Sequence, residues 1–266
     1  MEIFGEPNIE ELKASKNIKG LIDALKYEDR HYIIKNIAEA LGELRDVRAV
    51  IPLIWAVKHE GRHYVRKDIS KALLKIGEPA VKPLIDSFEN VYNDYIRRDI
   101  VEVLRKIGEP TVEPLIDALK NVDFNIRRGA VEALGKIGDR RVLKPLICAL
   151  GDEYPYIRMK AAEALKKIGD GQTVKPLIRA LKDEDYNVIW RAAEALGEIS
   201  DKKAVGPLIK IIKNKESLVR LETVRALGKI ADNRAEGPLI ETLKDKNSGV
   251  RKEAVIALKR LKKTKR

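Results

Sequence analysis

The sequence predicts an all-α fold, a right-handed α-solenoid (superhelix) of about eight 31-residue helix-turn-helix repeats. Three observations carry this. The tripeptide Pro145-Leu146-Ile147 recurs at Pro52, Pro83, Pro114, Pro176, Pro207 and Pro238, each 31 residues from the last, and a degenerate copy, Gly20-Leu21-Ile22, lies 32 residues before the first. A leucine column, Leu41, Leu73, Leu104, Leu134, Leu165, Leu196, Leu227 and Leu258, runs through all eight copies. Both segments of each copy carry apolar residues at helical spacing, as in Ile126, Ala130, Leu134 and Ile137.

Taken in chain order, residues 1–17 form an N-terminal capping segment with a short helix over 8–16, residues 18–262 a single repeat domain without a linker, and residues 263–266 a basic C-terminal tail. Each repeat opens with a first helix carrying P-L-I-x-A-L. Its proline lacks a backbone donor and belongs in the first turn. A polar turn follows, where Asn93, Asp123, Asp185 and Asn247 are placed to cap the second helix. That helix ends at Gly77, Gly108, Gly138 or Gly169, where a left-handed cap is expected, and Asp139, Asp170, Asp201 and Asp232 start the next repeat. Gly42, Gly135, Gly197 and Gly228 fall inside second helices, where close approach of a neighbouring backbone is the expected compensation. Two connections, IGEPAVKP and IGEPTVEP, are one residue short and are matched by intra-repeat turns one residue longer, which preserves the step.

The net charge is +12, but Lys259, Arg260, Lys262, Lys263, Lys265 and Arg266 supply half of it, and cations at a helix C-terminus complement its dipole. One cysteine, Cys148, excludes an internal disulfide and fits a reducing compartment. Neither a targeting segment nor a membrane span is expected, so the chain is read as cytoplasmic. Abundant Lys, Glu and Ile with a single Gln, Gln172, and two Met match a heat-adapted, thermophile composition.

With paired helices, the 31-residue step and the string D-x-x-x-x-V-R-x-x-A-x-x-A-L-G-x-I-G, residues 18 to about 262 resemble HEAT-like repeats of the phycobilisome-lyase (PBS lyase) type. That family ranges over scaffolds, bilin lyases and metal-dependent hydroxylases, so the resemblance speaks to fold before function. It implies that second helices line a concave face. It also implies a structural ladder of Arg66, Arg97, Arg127, Arg158, Arg220 and Arg251, each bonded to acidic or amide groups in a neighbouring turn: Asp152, Asp183, Asp245, Asn121 or Asn214. Ile34 and Ile189 interrupt the ladder, the second beside Trp190.

If second helices line the inner curve, the face they present holds Tyr32, His63, Tyr64, Tyr95, Phe124, Tyr156, Tyr186 and Trp190, extended by Met159, Leu218 and Leu221. Seven of the 13 aromatic residues are in this set. Tyr and Trp on an exposed groove are the anchors expected of a protein-binding surface, and the competing reading is that the rings only pack between repeats. Arg98, Arg128, Lys160 and Arg191 would select a partly acidic partner protein or extended peptide. Columns of lysine and arginine alternate with a glutamate column, as i,i+4 pairing on a solvated helix produces. A phosphate track would not place glutamates between its basic rows, which ranks nucleic acid second. The expected function is therefore a non-catalytic protein-protein interaction scaffold. A bilin-lyase enzyme ranks last. No catalytic residue, metal or cofactor is expected, since the one His-Glu pair, His59-Glu60, is fewer than the resembling hydroxylases use. Trp55, at a usually polar first-helix position, marks a candidate second surface.

Overall fold

The computed structural model describes residues 8–27 and 30–264. Among these it has 17 α-helices and no strand. The first seven residues of the capping segment and the tail residues Lys265 and Arg266 lie outside the described residues. The chain divides into two compact units, Met1–Ala133 and Leu134–Arg266.

Unit 1 contains α1 (Ile9–Ala14), α2 (Ile18–Tyr27), α3 (His31–Leu44), α4 (Val50–His59), α5 (His63–Ile76), α6 (Val81–Asp86), α7 (Asp94–Ile107), α8 (Val112–Ala118) and most of α9 (Phe124–Ile137). Unit 2 continues with α10 (Leu143–Ala149), α11 (Pro155–Ile168), α12 (Val174–Ala180), α13 (Tyr186–Ile199), α14 (Val205–Ile211), α15 (Ser217–Ile230), α16 (Glu236–Thr242) and α17 (Ser248–Thr264). Even-numbered helices are the first, and odd-numbered helices from α3 the second, of each pair. Helix α1 is the expected cap: Asn8 accepts from the Glu11 amide at 3.1 Å, and Lys13 reaches Glu43 of α3 at 2.6 Å.

Within each unit the core is one apolar seam between stacked pairs. Leu53, Leu84 and Leu115 of the first helices and Leu41, Leu73 and Leu104 of the second are buried in unit 1. Leu146, Leu177, Leu208 and Leu239, with Leu165, Leu196 and Leu227, repeat this in unit 2, while Leu258 is half-buried. The expected caps are present: Asp185 accepts from the Asn187 amide and Asn93 from the Tyr95 amide, both at 2.8 Å.

The sequence pattern missed one feature. From α4 onward a one-turn 3-10 helix precedes each first helix, as in Val47–Ala49 or Lys202–Ala204. Asp139, Asp170, Asp201 and Asp232 cap these turns rather than the first helices themselves. The P-L-I proline is then the third helical residue, where its missing donor costs no bond.

Helix ends divide into two conformations. Gly169 takes the left-handed form (φ 64°, ψ 25°), as do Arg45, Ser200 and Ala231 without being glycine. Gly77 and Gly108 instead adopt φ 79°, ψ −135° and φ 81°, ψ −129°, a region reserved for glycine. These two stand before Glu-Pro in the short connections, where the chain must turn in one residue fewer.

Candidate protein-binding face

At several junctions two positions bring the second helices together. An added Cβ on Gly197 would lie 2.7 Å from the Ala226 Cα, on Gly228 2.7 Å from the Ala257 Cβ, and on Gly42 2.8 Å from the Ala72 Cα. Glycine against alanine therefore brings α13 to α15, α15 to α17 and α3 to α5 into backbone contact. The equivalent pair between α5 and α7 is Leu74 against Val103. Those helices approach less closely than α3 and α5. The gap is a cleft of about 340 Å³ with Leu74, Ser70 and Val103 in its lining and His63, Lys67 and Lys106 among the charged or titratable residues around it. The Ser70 hydroxyl is buried there without a hydrogen-bond partner.

Aromatic residues stand near the start of the second helices of the same unit. In unit 1, Tyr32, Tyr64 and Tyr95 occupy the same position on consecutive second helices and are 45%, 55% and 68% exposed. His31 meets the Tyr64 ring edge-on at 5.6 Å, and His63 lies 3.7 Å from Asp99. Phe124 is half-buried, and Arg98 is exposed. Arg128 reaches Asp94 at 3.2 Å and Glu132 at 3.5 Å.

The rings of unit 2 are differently held. Trp190 is half-buried, with the Arg191 guanidinium stacked 3.9 Å from its centroid, and the Lys160 amine lies 5.8 Å from the Tyr156 ring. Tyr186 and Leu218 are exposed, while Met159 and Leu221 are half-buried. The cations are already committed: Arg191 bonds Glu194 at 2.9 Å, Lys160 bonds Glu163 at 3.0 Å, and Lys166 crosses from α11 to Glu194 at 2.7 Å. These links run i,i+3 and between helices, whereas the expected i,i+4 pairs of the charge columns form between Arg128 and Glu132 and between Glu102 and Lys106. Burial pushes the Glu163 and Glu194 carboxyls up, and the lysine and arginine partners more than reverse it, leaving both below the usual range. Glu222 is the opposite case, since burial keeps its carboxyl above the usual range despite Arg225 at 2.7 Å.

The ladder arginines take up two arrangements. Arg158 donates to the Asp152 and Glu153 carbonyls of its own turn at 3.0 and 3.1 Å, and to both Asp183 oxygens at 2.7 and 2.8 Å. Arg220 does the same with the Asn214 and Lys215 carbonyls and Asp245. Each arginine thus staples its own turn to the next one. In unit 1 the acceptor moves onto the next second helix: Arg66 donates to Asp99 at 2.7 Å and Arg97 to Glu132 at 3.2 Å. A carboxylate at the turn position is replaced there by buried Val91 after Arg66, so the arginine reaches sideways. Arg127 holds the Asn121 and Val122 carbonyls, both at 2.9 Å, and Arg251 those of Asp245 and Lys246. The side chains of Asn121 and Asn214, named as partners from the resemblance, instead cap their own turns by accepting from the Asp123 and Glu216 amides. Where Ile189 interrupts the ladder, Asn214 stands at the turn position, so the two charges are lost together.

The net charge is unequally divided. Unit 1 holds 22 basic and 23 acidic residues, unit 2 31 and 18. In unit 2, Lys213, Lys215, Lys244 and Lys246 surround a groove of about 610 Å³ along the turns that precede α15 and α17. Among the described residues no group of three or more His, Cys, Asp or Glu could hold a metal ion, and no helix is long and apolar enough to cross a membrane.

Paired helices with a shared seam, a glycine-alanine contact and an arginine staple define an α-helical repeat protein. The HEAT-repeat model matches residues 18–105, 81–165, 143–221 and 206–266, and the chain belongs to that family. No curated protein matches it. Among solved structures it is similar to a Kap121p mutant, at 14% identity and a TM-score of 0.66, covering 95% of this chain and 34% of the other. It is also similar to an engineered protein, at 20% identity and 0.52, with coverages of 97% and 81%. A designed armadillo repeat protein in complex with the peptide (KR)4 matches at 18% identity and 0.51, with coverages of 80% and 99%. At these identities the likeness is one of fold.

Proposed function

We propose that this HEAT-repeat protein is a non-catalytic scaffold that holds a partner protein or an extended peptide on its second-helix faces. The observation that carries the reading is the run of exposed Tyr32, Tyr64 and Tyr95 at one position of three consecutive second helices. Rings on a rigid helical frame give contact area with little loss of side-chain freedom on binding. The designed repeat protein named above holds a basic peptide. Here Lys67 and Arg98 on the same face favour a partly acidic one. The 31-residue step supports the phycobilisome-lyase subtype, the overlapping family matches from residue 18 onward support a single repeat domain over 18–262, and the exposed Cys148 thiol supports a cytoplasmic setting.

The test is capture from host lysate at low and high salt. A protein retained at high salt by the native chain and lost from the Tyr64→Ala/Tyr95→Ala variant supports the reading. Equal retention by that variant and by Tyr156→Ala/Trp190→Ala overturns it.

A second reading, nucleic-acid binding, draws on the excess of 13 positive charges in unit 2. It expects affinity that falls steeply with salt, on the order of 10³-fold between 50 and 200 mM for six phosphate contacts, and a marked loss in Lys213→Glu/Lys244→Glu. The bilin-lyase alternative has no residue assigned to it and is not proposed.

A further inference from the structure

The second-helix faces leave one surface unexplained, on the opposite helix of a single repeat. Val47, Ile51 and Trp55 lie four residues apart on one face of the segment formed by the 3-10 turn and α4, and are 59%, 63% and 49% exposed. The other repeats act as internal controls. Glu78, Lys82 and Asp86 take these places in the next repeat, and Glu109, Glu113 and Asp117 in the one after. A three-residue apolar stripe has no role in stacking, because it points away from the seam that buries Leu53, Ile54 and Val57. The Trp55 ring is also fixed in place. It stacks on His59 with centroids 4.3 Å apart and planes 21° apart, and His59 Nδ1 lies 2.8 Å from the Trp55 carbonyl oxygen.

We propose that this stripe is a self-association surface and that its occupant is the same stripe of a second copy of this chain, related by a two-fold axis near Ile51. The pattern is complementary to itself when reversed. Antiparallel α4 helices set Ile51 on Ile51, place the large Trp55 ring against the small Val47 of the other copy, and bring the Asp46 end of one helix to the Lys58 end of the other. The surrounding charges favour a neutral partner. Asp46 pairs with Arg48 at 2.7 Å, Glu60 with Arg62 at 2.8 Å, Asp23 with Lys26 at 3.9 Å, and Lys82 with Asp86. With 22 basic and 23 acidic residues, unit 1 gains nothing from a strongly charged partner, and it meets its own copy without repulsion. The three side chains leave on the order of 300 Å² in water, against the roughly 800 Å² per partner of a standard interface. With so little area the contact is a weak, reversible dimer.

Sedimentation equilibrium of the full chain from about 2 to 200 µM decides this. The expected weight-average mass rises with concentration from 30.0 kDa toward twice that value. The Ile51→Lys/Trp55→Lys variant should stay at 30.0 kDa throughout, with the native helix content and melting temperature. Tyr64→Ala, on a second helix, should dimerise as the native chain does. A native mass fixed at 30.0 kDa, a lysine variant that associates like the native chain, or growth beyond the dimer would each overturn the proposal.

Discussion

Unit 1 and unit 2 are written in the same repeat and share the glycine-alanine contact, yet one junction of unit 1, between α5 and α7, is spaced differently. In unit 2, Gly197 and Gly228 admit Ala226 and Ala257 at backbone distance, and α13, α15 and α17 form a closed wall. In unit 1 the same two positions between α5 and α7 are Leu74 and Val103, and a cleft opens. The ladder differs in parallel: Arg158 and Arg220 staple turn to turn, whereas Arg66 and Arg97 reach across to the next helix. Charge follows the same division, near balance in unit 1 and strongly basic in unit 2. A repeat frame holds its step while individual columns are free to change, so the departures from the column carry the individuality of each unit.

The sharpest way to break this comparison is to exchange the spacing residues. Gly197→Leu should drive α13 from α15 and cost about 4 kcal/mol, since the neighbour is backbone and cannot yield. Leu74→Gly/Val103→Ala should instead let α5 and α7 close, removing the cleft with a much smaller loss. Urea unfolding of both variants, with the midpoint and slope compared, checks the asymmetry.

Next in size is the ladder. Arg158→Ala leaves Asp183 and two turn carbonyls without their donor and should cost about 3 kcal/mol. Arg97→Ala removes only the pairs to Asp94 and Glu132 and should cost about 2 kcal/mol. Equal losses in denaturant titrations would mean that the two arrangements are energetically the same.

Helix ends give a smaller contrast. Gly108→Ala should cost about 2 kcal/mol, because its backbone lies where only glycine is at ease, and Gly169→Ala, in the ordinary left-handed region, about 1 kcal/mol. Thermal unfolding of the pair orders them.

The pH dependence separates the carboxylates. Hydrogen bonds from Arg220 lower the Asp245 carboxyl, and those from Arg234 bring Asp232 to about 2. The stability they contribute is fully present above the unfolded carboxylate range, near pH 4, and is lost as the pH falls toward 2. Glu222 has the opposite sign. Its raised carboxyl penalises the native state when ionised, so Glu222→Gln should raise stability at pH 7, and the gain should vanish in acid as the native chain takes up its proton. Melting curves from pH 3 to 7 show whether the two signs hold.

Much of this was legible in the residues. Helical periodicity, the leucine column, the Asn and Asp caps and the internal glycines are local or nearest-repeat signals, and each predicted a contact that the structure contains. The 3-10 turns were not legible, because the aspartates that cap them have the same signature as a helix N-cap. On the candidate face, sequence placed Tyr32, Tyr64 and Tyr95 in one column but ranked Tyr156 and Trp190 with them. A cation stacked on a ring depends on side-chain torsions that no spacing reports, and Arg191 and Lys160 have turned onto their neighbours.

By itself the sequence determined the all-α class, the length of the step, the seam and the caps of the second helices, since these follow from periodicity and capping within about 31 residues. Tertiary structure alone decided which arginine reaches a turn and which reaches a helix, and which pair of second helices parts to leave a cleft. Those outcomes depend on the size and charge of residues in two repeats at once, at distances set by packing.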